Sequence, residues 1–346
     1  MKGPKRDVSS NEKERGGRIP REAPAARTRR IHLLRNLVLL VAICAGAARL
    51  SAGPPGTRRI SVSSGGYVRE AALHVPPGYD PASPPPLVVG LHGAGGNGEQ
   101  FLRGGGWADA SDRFGFLFVA PDGLPARPGG APNFLTNPRL WNSGQLKPGS
   151  PRTAIDDVAF VSALLADLKR RTPYDPKRVF VTGHSNGGGM TFLLAGKLAD
   201  RIAAIATVAG LVADPDPKPS RPVPTLYVLG TKDPLTPLAG GESHLPWGKR
   251  TTRPVPEYLA TWAKAIGCAP APVTVSDAGG VKTVEYRPAG DGPRLKVLYL
   301  EGHGHSWPGS HDPRLVNEAM GPVTATIDAT ATIWAYFVSI GSAPAR

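Results

Sequence analysis

The chain is 346 residues long with 40% hydrophobic residues, enough for one large α/β domain or two small ones. Its formal charge of +14 suggests nucleic acid until it is located: residues 1–36 hold eleven Lys/Arg against four Asp/Glu, half of the excess, and the rest shows no dense basic run interleaved with aromatics. Two cysteines, Cys44 and Cys268, provide no disulfide framework, and no Cys/His spacing suggests a metal site.

Met1 to Arg30 is polar, basic and poor in large apolar residues, which predicts disorder. Leu37 to Ala48 is an uninterrupted apolar or small run bounded by Arg35 and Arg49. As a helix it would extend about 18 Å, well short of a ~30 Å hydrocarbon core, so it reads as the apolar core of an export signal, with Ala45-Gly46-Ala47 as a cleavage site. Thr28 to Leu34 is similar to a twin-arginine export signal. We expect residues 1–57 to form a basic arm with this export segment, and 58–346 to form one catalytic domain. The expected location is outside the cytoplasm, extracellular or periplasmic, with an uncleaved membrane anchor as the alternative. Any membrane contact would run through that segment alone.

From about Arg58 the strand and helix signals begin. Arg69 to Val75 is strand-like, and Leu87 to Leu91 is the continuous apolar run of a strand buried on both faces. It opens into His92-Gly93-Ala94-Gly95-Gly96-Asn97, which lacks the G-x-G-x-x-G of a dinucleotide cradle and suits an oxyanion-hole loop, whose amides must approach a carbonyl closely. Phe114 to Ala120 is predicted as a strand. Leu124 to Pro151, rich in Pro, Gly and Asn and carrying Trp141, is predicted as a long loop near the top of the sheet. A helix follows from Ala154, where Asp156 and Asp157 read as capping residues rather than catalytic ones.

Val179 to Gly183 is then a short strand, and Gly183-His184-Ser185-Asn186-Gly187 is a G-x-S-x-G. Met190, Leu193, Leu194 and Leu198 follow on one helical face. Strand, glycine-framed serine and helix in that order form a nucleophile elbow: a turn so tight that side chains two residues either side of Ser185 would collide, with the Asn186 amide aimed at whatever the serine attacks. Ile202–Val212 and Pro222–Gly230 are strand-like; Glu257–Ile266 is helical. Strands at Val273–Ser276, Val281–Tyr286 and Leu295–Leu300 precede a helix at Ala329–Val338. Alternating strands and helices predict a single-domain, mostly parallel sheet with helices on both faces.

A serine hydroxyl needs a base, and the base an orienting acid; on this architecture they follow in the order serine, acid, histidine, each after a strand. Asp233 fits the acid better than Asp214 or Asp216, which lie in a proline-rich connection. His303 and His305 both follow the last strand, and spacing leaves them open, with His311 more distant and His244 out of order.

LVVGLHGAGGN, APDG, DDVAFV, RVFVTGHSNGGGM, LGTKDPLTP and GHSWPG, together and in this order, resemble the secreted polyhydroxybutyrate depolymerase and feruloyl/acetylxylan esterase group of α/β-hydrolases, over roughly residues 65–340. The resemblance implies the α/β-hydrolase fold and hydrolysis of carboxylic esters through an acyl-enzyme on Ser185. His305 would be the base, as the histidine before Ser-Trp-Pro, and Asp233 the acid. The amides of Ala94 and Asn186 would form the oxyanion hole; Ala94 stands where a cysteine is often found, a change without consequence because only its N–H acts. Trp141 and Trp307 are the candidate substrate-binding aromatics. No cofactor or metal is implied, and the expected partner is a small ester, an oligoester or an esterified polysaccharide. Depolymerases of solid polymer commonly carry an extra binding domain, and the chain ends after its closing helix, so soluble esters or oligomers are expected. The alternatives on the same fold are a serine peptidase and a non-catalytic binding protein. Between the two histidines, Gly302 and Gly304 predict a loose His303 whose ring can turn to solvent, whereas Ser306, Trp307 and Pro308 can lock His305.

Overall fold

A computed structural model describes residues 55–245, 247–291, 294–312, 315 and 318–341. Of the basic arm and export segment expected over residues 1–57, residues 1–54 lie outside the described residues, whereas Gly56 and Thr57 belong to the first strand of the sheet. In chain order the strands are β1 (Gly56–Ser64), β2 (Tyr67–Val75), β3 (Leu87–Leu91), β4 (Leu117–Pro121), β5 (Val179–His184), β6 (Ala204–Val208), β7 (Thr225–Gly230), β8 (Gly241–Leu245), β9 (Gly248–Thr252), β10 (Val273–Ala278), β11 (Val281–Tyr286) and β12 (Leu295–Leu300). The helices are α1 (Gly98–Gly104), α2 (Trp107–Phe114), α3 (Asp157–Arg171), α4 (Asn186–Lys197), α5 (Val255–Ala265) and α6 (Ala329–Gly341).

Ten strands form one sheet in the order β1-β2-β4-β3-β5-β6-β7-β12-β11-β10, while β8 and β9 form a separate hairpin. The six central strands, β4 to β12 in that order, pair in parallel. The strands outside them pair antiparallel. Every residue of β3 to β7 is buried, so both faces at the sheet centre are covered. That is why these strands read as continuous apolar runs rather than as alternation. On one of those faces the Phe180 ring of β5 stacks on Phe337 of α6, centroids 4.6 Å apart. The described residues belong to a single unit, an α/β-hydrolase sheet.

The structure differs from the sequence reading in several places, among them β1, which was not marked as a strand, and the expected strand at Ile202–Val212, which is limited to Ala204–Val208. The strand expected from Phe114 begins at Leu117, because Phe114 closes α2 and Gly115 takes the left-handed conformation (φ +73°) that ends the helix. The short helices α1 and α2 and the β8–β9 hairpin were not anticipated. Their glycines and brief lengths leave little periodic signal, and α1 depends on a tertiary fit: a Cβ on Gly98 would lie 1.9 Å from the Ala120 carbonyl oxygen.

Candidate active site

The elbow between β5 and α4 is built as its glycines require. Ser185 has φ +54° and ψ −117°, a backbone conformation that costs on the order of 1–3 kcal/mol and persists only where the surroundings enforce it. The enforcement is visible: its N–H donates to the Val208 carbonyl at 2.8 Å, and its carbonyl accepts the first helical bond from Gly189 at 2.9 Å. Gly183 and Gly187 serve close approach. A Cβ on Gly183 would lie 2.4 Å from the Gly187 carbonyl oxygen, and one on Gly187 would lie 2.2 Å from that of Leu91. The Asn186 side chain turns away from the site, accepting from the Trp141 amide at 2.7 Å and donating to the Trp141 carbonyl and Ser143 hydroxyl at 3.1 Å each.

His305 sits on the loop after β12 and its Nδ1–H donates to Asp233 Oδ2 at 2.7 Å, both groups being buried. The other carboxylate oxygen accepts the amides of Leu235 (2.8 Å) and Thr236 (2.6 Å). Burial pushes the Asp233 pKa up, but His305 and these two amides outweigh it and leave the carboxyl below its usual range, hence ionised. The His305 backbone is held at both ends: its N–H donates to the Met320 carbonyl at 2.6 Å, and its carbonyl accepts the His184 Nε2–H at 2.7 Å.

His303 contradicts the expectation of a loose ring. It is buried, its Nδ1 accepts the Thr324 N–H at 3.0 Å, and its Nε2–H donates to the Ser306 carbonyl at 3.0 Å. Nor is Gly304 a free hinge, since a Cβ there would lie 2.2 Å from the Met320 carbonyl oxygen. His303 staples the loop that carries His305, whereas His244 on the outer hairpin is exposed.

The loop after β3 is held by His92. Its Nδ1–H donates to the Gly93 carbonyl at 2.7 Å and its Nε2 accepts the Gly123 amide at 2.9 Å. The Gly95 and Gly96 amides are taken by the carbonyls of Arg139 (2.8 Å) and Gly93 (3.1 Å). No backbone carbonyl among the described residues accepts from Ala94 or Asn186. Ala94, Ser185 and His305 line one cavity of about 420 Å³, together with Gly93, Gly95, His184, Phe134 and Trp247.

Neither tryptophan singled out in the sequence lines that cavity. Trp141 is buried, its ring 5.1 Å from that of His92 and its indole N–H donating to the His92 carbonyl at 2.9 Å. Trp307 packs edge-on against Phe101 at 5.0 Å and donates to the Thr330 hydroxyl at 3.1 Å. Both rings are almost fully buried and hold their loops from within, each indole N–H satisfied by an internal acceptor. The described cavity lining instead carries Phe101, Phe134 and Trp247, of which Phe101 is fully buried while Phe134 and Trp247 are not. Asp156 and Asp157 serve structure as expected. Asp156 caps α3 through the Ala159 amide at 2.8 Å. Asp157 is fully buried between Arg69 (2.9 Å) and Arg152 and accepts the Asn142 amide at 2.7 Å, anchoring the long loop.

Sequence reasoning passed over His184, Phe134 and Trp247. His184 occupies the free position of G-x-S-x-G, so the motif says nothing of it. Phe134 and Trp247 carried one usable signal: each is a large aromatic stranded among Pro, Gly and polar residues.

Burial disfavours imidazolium and brings His92 to about 4 and His184 to about 3, the latter with help from the neighbouring His305 charge. Unfolded, both titrate near 6.5. As pH falls below that value the unfolded chain binds protons that the folded chain refuses, so their contribution is full above about pH 6.5 and is lost towards pH 4. For His92 this is on the order of 3 kcal/mol across the window. We expect the urea midpoint to fall between pH 6.5 and 4, and to fall less steeply in His92→Gln. Equal slopes in the two proteins would refute a neutral His92.

The sequence model of the family described as Esterase PHB depolymerase matches residues 69–216, which contain Ala94 and Ser185. NocK of Nocardia uniformis subsp. tsuyamanensis, a protein named as an esterase, is 30% identical over 271 residues, covering 72% of this chain and 73% of that protein. Feruloyl esterase B of Piromyces equi is 29% identical over 244 residues, covering 69% of this chain and 42% of the relative. Feruloyl esterase C of Emericella nidulans is 32% identical over 178 residues, covering 50% and 58%. The chain thus spans about half the length of these two feruloyl esterases. The solved structure of native sOPH superposes with a TM-score of 0.51 at 19% identity over 76% of this chain and 85% of that one, a likeness of fold. With NocK 30% identical over nearly three quarters of both lengths, and the family's sequence model running from β2 past the elbow to beyond β6, the chain belongs to the esterase PHB depolymerase family.

Proposed function

We propose that this carboxylic ester hydrolase works through an acyl-enzyme on Ser185, with His305 as general base and acid and Asp233 as the group that orients it. One observation carries the reading: a serine forced to positive φ at the head of α4 shares a cavity with a histidine whose far nitrogen is bound to a buried carboxylate. With Nδ1–H committed to Asp233, Nε2 of His305 is the nitrogen left to take the Ser185 proton as Oγ attacks the ester carbonyl. The negative charge then develops on the carbonyl oxygen, where the Ala94 and Asn186 amides and the α4 N-terminus can stabilise it. His305 returns the proton to the departing alcohol, and water, activated in the same way, releases the acid.

The test is turnover of carboxylic esters and of their amide analogues by the wild-type chain and by Ser185→Ala. Ester hydrolysis dependent on Ser185, with amides much slower, is expected. Amide turnover equal to ester turnover would make the chain a peptidase, and ester turnover independent of Ser185 would refute the site. Short acyl esters, feruloyl esters, acetylated xylan and hydroxybutyrate oligomers form the panel, since two of the relatives are named feruloyl esterases.

We further propose that the catalytic domain follows an export segment with its apolar core at residues 37–48. The described residues contain no helix long and apolar enough to cross a membrane. Protein recovered outside the cytoplasm should begin between about Ala45 and Gly53 by signal-peptide anatomy. N-terminal sequencing that found residues 1–30 intact on a membrane-bound form would refute cleavage.

A further inference from the structure

The cavity around Ser185, about 420 Å³, is far larger than the space a single water needs. No Asp, Glu, Lys or Arg is among its described lining residues, so the described walls hold no formal charge to pair with a charged substituent. Its two sides differ. One flanks the acid–base pair: the Leu235 amide is bound to Asp233, and the Met320 carbonyl accepts the His305 N–H. The other side abuts the loop that carries Ala94. There the Phe134 ring lies so close over Gly95 that a Cβ on that glycine would be 2.5 Å from it. Trp247, in the turn between β8 and β9, meets Phe134 edge to face with centroids 5.4 Å apart and donates its indole N–H to the Phe134 carbonyl at 2.6 Å. Two segments more than a hundred residues apart thus close an aromatic arch over the cavity by a hydrogen bond.

Proton transfer orients the ester within these walls. The alcohol oxygen must face His305, which hands it a proton, so the alcohol runs towards the residues bonded to the acid–base pair, Leu235 and Met320. The carbonyl oxygen is directed to the Ala94 and Asn186 amides. The acyl substituent is left to the side walled by Phe134 and Trp247. We propose that the Phe134–Trp247 arch is the acyl-binding wall of this enzyme, and that its substrates carry an uncharged, apolar acyl group larger than acetyl. The proposal rests on the Ser185–His305 reading of the site.

The test compares kcat/KM for p-nitrophenyl acetate, butyrate and hexanoate, which share one alcohol. Each methylene buried against the arch raises kcat/KM by up to about fourfold. The wild-type hexanoate-to-acetate ratio should therefore be about tenfold or more. Trp247→Ala and Phe134→Ala should each lower that ratio by about fivefold or more, hexanoate losing more than acetate. Phe134→Ala keeps the carbonyl that Trp247 bonds, and Phe134 is exposed and Trp247 half-buried, so thermal unfolding should confirm an intact fold in each. No chain-length preference in the wild type, a ratio unchanged in both variants, or equal losses on acetate and hexanoate would overturn the proposal. Ser185→Ala is assayed alongside: if it still turns over these esters, the site reading itself has failed, whereas a dead Ser185→Ala with an unaltered ratio refutes the arch alone.

Discussion

Ser185→Ala should lower kcat on every ester that the wild type hydrolyses by about 10⁴-fold or more. Its stability should stay within about 0.5 kcal/mol of the wild type, because alanine retains the Cβ and inherits the same forced backbone. The strain makes a second variant informative. Ser185→Gly removes the steric cause of the penalty at φ +54°, so it should be as inactive yet more stable by about 1 kcal/mol, with the entropy of a new glycine offsetting part of the relief. Urea unfolding and ester kinetics on the same preparations check both statements. A Ser185→Ala protein keeping more than about a tenth of the activity would remove Ser185 from the chemistry.

His305→Ala and His303→Ala should fail in different ways. Loss of His305 removes the proton acceptor, and kcat should fall by about 10⁴-fold or more on a chain that still folds. Loss of His303 leaves the buried Ser306 carbonyl without its partner, at about 1–3 kcal/mol, and removes the acceptor of the half-buried Thr324 N–H at a smaller cost. His303→Ala should therefore lose roughly 3 kcal/mol of stability. Where it remains folded, kcat/KM should stay within about tenfold of the wild type, because the loop carrying His305 is also held through Met320 and His184. Kinetics well below each variant's unfolding midpoint separate the two effects. A folded but dead His303→Ala beside an active His305→Ala would exchange the two assignments.

Local patterns were legible where a residue's role depends on its near neighbours. The continuous apolar runs marked β3, β5 and β7 because strands covered on both faces must be apolar throughout. The glycines around Ser185 marked the elbow because its tight turn is made within a few residues, packed against the adjoining ends of β3 and β6. Asp156 was recognisable as a cap for the same reason, since its partner is three residues away.

The sequence by itself determined the α/β class, the serine elbow and the order in which an acid and a histidine would follow it. These depend on periodicity, turn chemistry and strand order, all written along the chain. The tertiary structure decided which histidine meets the acid, because 72 residues separate His305 from Asp233 and spacing treats His303 as an equal. It also turned Trp141 and Trp307 inward, to acceptors on distant segments, and brought Phe134 and Trp247 to the cavity in their place. The direction of a side chain and the partner of a buried polar group are set by segments that meet only on folding, and composition along the chain carries no record of that meeting.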